Sequence, residues 1–211
     1  CISVTLFTSQ ELRGWSNGEY WDGLPPSNII KIVVTLPPFQ FPIGWLKEGL
    51  AKTQINFNPD GLSEEIFRLL EATDLLNETS LIYLQITRGT APRKHAFPAN
   101  IKQTVMMYAK AYDLPGINPI HGKAVTLQDQ RWLRCDIKMT SLIGNVMANE
   151  AAYSQGAYEA VLIRDGRITE GSHSNIFFVK NEVLYTHPAD EFILNGITRK
   201  VTLEMCKNLG L

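Results

Sequence analysis

Strand-like and helix-like segments alternate along this chain, divided by proline, glycine and asparagine, and this alternation narrows its fold more than any other feature. Segments 80–87, 103–111, 123–128, 158–164, 175–180 and 183–186 read as short strands. Asn181-Glu182 is a hairpin connection between the last two. Residues 28–36, rich in Ile and Val and flanked by Pro25-Pro26 and Pro37-Pro38, read as a further strand. After the turn Asn58-Pro59-Asp60-Gly61, Leu62, Ile66, Leu69 and Leu70 fall on one helical face and predict an amphipathic helix over 62–73. Helices are also expected over 141–153 and 196–208. Interleaved elements with hairpins in the second half imply an α/β (α+β) chain of two domains. The stretch 113–119, with two prolines and a glycine, is the natural boundary. Residues 1–113 then form a small N-terminal α/β domain whose first 44 residues are hard to read, 114–119 form the linker, and 120–211 form the second domain.

The bulk numbers exclude several classes. At 211 residues, with 45% hydrophobic and 19% charged residues, the chain can bury a core and is not a disordered one. A formal net charge of -1 offers no field for nucleic acid or an anionic membrane. No apolar run nears the roughly 18 residues a membrane span needs. Cys1, Cys135 and Cys206 are an odd count with no metal-ligand spacing, so a reduced, cytoplasmic protein without a metal site is expected.

Four segments carry side chains suited to chemistry. Lys138 closes Arg131-Trp132-Leu133-Arg134-Cys135-Asp136-Ile137-Lys138, read as the end of a mostly apolar strand. Desolvation there would lower its pKa and free the amine as a nucleophile, although on spacing alone a solvated lysine reads better. Glu170 stands 32 residues later in Thr169-Glu170-Gly171-Ser172-His173-Ser174-Asn175, read as a turn between strands. It is either a surface carboxylate or the partner of a buried cationic ring nitrogen, and a lysine with such a carboxylate is what a pyridoxal phosphate enzyme needs. In Leu194-Asn195-Gly196-Ile197-Thr198-Arg199 a glycine turn enters a helix, whose free N–H groups with the Thr198 hydroxyl can bind phosphate. Arg93 and His95, two apart in a loop stiffened by Pro92 and Pro98, are either solvated cations or a grip for a carboxylate.

These segments closely resemble the fold-type IV (class IV) aminotransferases that use pyridoxal 5′-phosphate, and within them the D-amino-acid aminotransferases, over about residues 58–211. The resemblance implies two domains: a small N-terminal α/β domain and a larger C-terminal pseudo-barrel that binds the cofactor. Since the chain stops at Leu211, ahead of the family's second phosphate-binding turn and last strands, that second domain is expected to be incomplete. Lys138 is implied as the Schiff-base lysine and acid/base catalyst. Glu170 would face the pyridine nitrogen, Leu194 would pack on the ring, and Gly196, Ile197 and Thr198 would hold the phosphate. His173 takes a cofactor-side position where small hydroxyl residues are common. Arg93 and His95 match the family's Pro-Arg-x-His loop, which binds the substrate carboxylate in the neighbouring subunit's site, so a homodimer acting on D-amino acids and 2-oxo acids is implied. Branched-chain aminotransferase, aminodeoxychorismate lyase and a non-catalytic fragment are the alternatives. Two departures stand out. Arg13-Gly14 and Gly18-Glu19-Tyr20 only faintly echo the family's opening motifs, and Trp45-Leu46-Lys47-Glu48-Gly49-Leu50 lacks the family's phosphate-binding arginine.

Overall fold

The computed structural model describes residues 4–7, 29–32, 43–112, 122–181 and 183–210. The expected linker 114–119, the Arg13-Gly14 and Gly18-Glu19-Tyr20 echoes and Glu182 lie outside the described residues. Two compact units form, one of residues 1–34 with 115–211, the other of residues 35–114. In the first unit, strands β1 (Val4–Phe7) and β2 (Ile29–Ile32) pair antiparallel.

In the unit 35–114, helices α1 (Ile43–Lys52) and α2 (Leu62–Ala72) precede strands β3 (Ser80–Thr87) and β4 (Thr104–Ala111). Leu62, Ile66 and Leu70 are buried along one face of α2, as their spacing requires. The helix ends at Thr73, whose hydroxyl donates to the Leu69 carbonyl at 2.8 Å. β3 and β4 pair antiparallel from Ser80↔Ala111 to Thr87↔Thr104, with the Tyr83 and Tyr108 rings stacked 5.1 Å apart. The loop between them is tied down by Arg88, which donates to the Gln54 carbonyl at 2.8 Å and lies 3.6 Å over the Phe97 ring.

The first unit continues with β5 (Ala124–Gln128), α3 (Ile143–Tyr153) and β6 (Glu159–Arg164). β5 and β6 are parallel, which demands a crossover, and α3 supplies it. β7 (Arg167–Gly171) returns antiparallel to β6 through Asp165-Gly166, both at positive φ (50° and 73°), as a two-residue hairpin requires. β8 (Asn175–Lys180) and β9 (Val183–Thr186) form a second hairpin, β8 also runs parallel to β1, and α4 (Ile197–Asn208) follows. Both faces of β6 are covered. Ala160 and Leu162 pack with Ala152 and Ala157, and Val161 packs with Ile176.

Two expectations are corrected. Residues 131–138 form no strand, only turns. The Arg131 amide bends back to Asp129 Oδ1 at 3.0 Å and the Cys135 amide donates to the Glu191 carbonyl at 2.8 Å, so neither serves a ladder. Glu170 lies in strand β7 rather than in the turn, which begins at Ser172.

Leu162 is 1% exposed. Leu162→Ala is expected to cost about 2–5 kcal/mol in urea unfolding, whereas Met205→Ala, on the open face of α4, should change stability by less than about 0.5 kcal/mol.

Candidate active site

Arg131 organises the loop that leads from β5 to Lys138. Its Nε donates to Asp129 Oδ1 at 2.9 Å and its Nη2 to Asp129 Oδ2 at 2.8 Å and to the Phe192 carbonyl at 3.0 Å. Nη1 donates to Glu170 Oε1 in a short ion pair. Arg164 Nη2 lies 3.1 Å from Asp129 Oδ1. Burial pushes Asp129 up, but the hydrogen bonds and charge of Arg131, joined by Arg164, outweigh it and bring the carboxyl to about 2.

Glu170 is 6% exposed and its other oxygen is also engaged. Oε2 accepts from Asn175 Nδ2 and from the Leu194 amide, each at 3.0 Å. Burial raises its pKa to about 7 in spite of Arg131. Lys138 follows in the same loop system. It is exposed at its surface, yet desolvation by the surrounding protein holds its ammonium below the usual lysine range while Glu170 pulls the other way. Lys138 and Glu170 are therefore close enough for each to feel the other's charge.

Asn175 also ties this carboxylate to α4. Its Nδ2 donates to the Leu194 carbonyl at 2.8 Å, and a Cβ on Gly196 would stand 2.5 Å from its Oδ1, so only glycine fits there. α4 has no side-chain N-cap, and its first helical hydrogen bond runs from the Lys200 amide to the Gly196 carbonyl at 3.0 Å. The amides of Ile197 and Thr198 therefore have no intrahelical acceptor. Thr198 and Arg199 are buried. Arg199 donates to Asn195 Oδ1 at 2.9 Å and to the His187 carbonyl at 2.8 Å. Glu170, Asn175 and Leu194 are thus joined by hydrogen bonds just ahead of Gly196 and the start of α4, and the charge of Glu170 acts on Lys138.

His173 faces a carboxylate that sequence reasoning passed over. Glu159 is fully buried at the start of β6, beneath the turn after Glu170. Ser172 Oγ donates to its Oε1 in a short bond, Ser174 Oγ donates to Oε2 at 2.9 Å, and His173 Nδ1 lies 3.0 Å from Oε1. Burial raises Glu159, but His173 and the two serines outweigh it and hold the carboxyl below the usual range. Asn145 of α3 clamps the turn through the Ser172 carbonyl at 2.9 Å. The signal for Glu159 was faint: a glutamate opening an apolar strand, with paired serines 13 and 15 residues on. Arg93 and His95 stand exposed in the β3–β4 loop of the unit 35–114. In the same unit Glu48, in the segment without the family's arginine, is paired with Lys52 at 2.6 Å.

A carboxyl that holds its proton more tightly when folded destabilises the fold as pH rises from its unfolded to its folded pKa. Glu170 should therefore cost stability on the order of 1–3 kcal/mol, developing between about pH 4.5 and about pH 7. Glu170→Gln is expected to remove that decline from a series of urea-unfolding curves across this range.

The profile of the amino-transferase class IV family matches residues 46–211. The D-alanine aminotransferase of Staphylococcus epidermidis is 46% identical over 149 residues, covering 70% of this chain and 52% of that protein. That of Staphylococcus aureus is 41% identical over 159 residues, covering 74% and 56%. The D-alanine aminotransferase of Bacillus licheniformis is 47% identical over 131 residues, covering 62% and 46%. The chain spans about half the length of the curated relatives it matches. The branched-chain aminotransferase of Thermoproteus uzoniensis, solved with norvaline, superposes with a TM-score of 0.66 at 21% identity, covering 80% of this chain and 58% of that one. The Escherichia coli branched-chain aminotransferase gives a TM-score of 0.65 at 21% identity, covering 80% and 59%. These structures share the mixed α/β fold, of which this chain carries part. Matched by the family profile over most of its length, the chain belongs to the class IV aminotransferases.

Proposed function

We propose that this chain takes part in pyridoxal phosphate-dependent transamination between D-amino acids and 2-oxo acids, with Lys138 as the reacting amine. One observation carries the reading: a buried carboxylate, Glu170, is held by the Leu194 amide just ahead of the uncapped start of α4, and its charge acts on Lys138. The donor set fits the cofactor at three points. Lys138 offers an amine to its aldehyde, Glu170 an anion to its ring nitrogen, and the Ile197 and Thr198 amides with the Thr198 hydroxyl offer donors to its phosphate. When bound, the cofactor supplies the electron sink that makes the substrate α-proton acidic.

The chain's own residues do the rest. Desolvation keeps more of Lys138 in its neutral, nucleophilic form. Its Nζ would be the group that accepts the substrate α-proton and holds it for redelivery. Leu194 would offer an apolar side chain for the ring to pack on, and His173, held by Glu159, would lie on the cofactor side. Arg93, with five N–H donors in a planar fork, suits a substrate carboxylate, with His95 as a second donor. The names of the relatives support D-amino acids as donors. Assembly as a homodimer, with the Arg93 loop serving the partner's site, belongs to the same proposal, as does a reduced, cytoplasmic setting. Among the described residues Cys135 and Cys206 are free thiols, and no helix is long and apolar enough to cross a membrane.

Incubation with pyridoxal phosphate should give a visible absorbance band that borohydride removes, linking the cofactor to the peptide containing Lys138. Lys138→Ala should abolish both; label on another lysine, or none, would overturn the assignment and favour a non-catalytic fragment. D-Alanine should serve as amino donor in preference to L-leucine or aminodeoxychorismate, which would mark the branched-chain or lyase alternatives.

Arg93→Ala should mainly raise KM for D-alanine, by about one to two decades, because a charge-assisted bond to a carboxylate is worth roughly 1.5–3 kcal/mol in ground and transition states alike. An unchanged KM would remove Arg93 from the substrate site.

A further inference from the structure

We propose that Arg131 is a positioning residue for Glu170: braced by Asp129, it fixes the carboxylate's orientation and favours its anionic form, the form a cationic ring nitrogen requires. The inference rests on the reading of Glu170 as the ring-nitrogen partner and extends it to a residue that touches neither cofactor nor substrate.

The geometry is that of a guanidinium with no freedom left. Asp129 takes Nε and Nη2, the Phe192 carbonyl takes Nη2 as well, and Nη1 is left pointing at Glu170 Oε1. Asp129 is held in turn by the Thr169 hydroxyl at 3.0 Å, one residue before Glu170. Glu170 Oε2 is fully used by Asn175 and the Leu194 amide, so the acceptor position left after Arg131 is the second one on Oε1. A lysine in place of Arg131 could supply charge but not this fork.

The electrostatics agree in direction. The charged or titratable groups acting on or near Glu170 are Arg131, Asp129, Cys135, Lys138 and Arg199. Burial opposes the Glu170 anion, Arg131 is the largest influence favouring it, and Asp129 works against it. Asp129 therefore does two opposed things: it aims the guanidinium and also shares its charge. Substitutions at the two positions should move Glu170 in opposite directions, which a scaffold defect would not do.

The test is a carboxyl-carbon NMR titration of this chain, labelled in glutamate and free of cofactor, with the Glu170 signal assigned by its loss in Glu170→Gln. Arg131→Gln should raise the Glu170 midpoint by a unit or more, a tenfold or larger gain in proton affinity, and Asp129→Asn should lower it. Arg131→Lys should fall between wild type and Arg131→Gln. Should Arg131→Gln not fold, Arg131→Lys and Asp129→Asn still have to move in opposite directions. Midpoints that do not move, or that move the same way in both kinds of variant, overturn the proposal. Borohydride labelling of the wild-type chain is run alongside. Labelling at Lys138 with unmoved midpoints sinks the role of Arg131 alone. Absent labelling with opposed midpoints leaves Arg131 tuning Glu170 and sinks the cofactor reading instead.

Discussion

The buried charge cluster of Asp129, Arg131, Arg164 and Glu170 is the constraint on which the second half of this chain depends. Isolated, any of these ions would pay a desolvation cost of several kcal/mol. With Glu170 ionised they are two cations and two anions with no net charge, linked by the Arg131 fork and by the 3.1 Å approach of Arg164 to Asp129. Each member comes from a different place: the end of β5, the following loop, the end of β6 and the end of β7. Satisfying their charges therefore sets where those segments meet. The loop to Lys138 is short of regular structure because its polar groups are spent on this cluster and on the 191–192 backbone.

The strands around the cluster are shaped to admit it. Pairing between β6 and β7 shifts register between Val161 and Ile163, and Thr169, Glu170 and Gly171 are then buried in succession instead of alternating. The Thr169 hydroxyl reaches both the Leu162 carbonyl at 3.2 Å and Asp129. Gly171 has no room for a side chain, since a Cβ there would stand 2.6 Å from Ser174 Oγ and 2.9 Å from the Glu159 carboxyl carbon. The bulge, the glycine and Glu159 together turn β7 into β8, and this sets Asn175 against Glu170 and Leu194.

Local rules made most of the elements legible. Ser80–Thr87, Asn175–Lys180 and Val183–Thr186 coincide with their expected bounds, and the three expected helices differ only at their ends, Thr73 and Gly196 serving as caps, while α1 was not expected. The failures have different causes. Apolar residues in 131–138 suggested a strand, but the backbone there is captured by the nearby Asp129 side chain and, from far along the chain, by Arg164 and the Glu191 carbonyl. β7 was missed although Asp165-Gly166 is itself a hairpin signal. At the candidate site, Lys138, Glu170 and the glycine before α4 were singled out by the family resemblance, residue type alone favouring a solvated lysine and a surface carboxylate. Asp129, Arg131 and Glu159 were not, because their importance comes from burial and mutual contact, and a charged residue in sequence looks solvated until a partner is seen.

Lys138 and Glu170 do not titrate independently. Desolvation disfavours the lysine's ammonium and the glutamate's anion alike, while each favours the charged form of the other. As Glu170 loses its proton near pH 7, Lys138 binds its own more tightly, so the pair resists holding both groups neutral. Arg131, always charged, supplies a fixed field beside this coupled pair, and that is the reason a buried arginine suits the position better than a second titrating group.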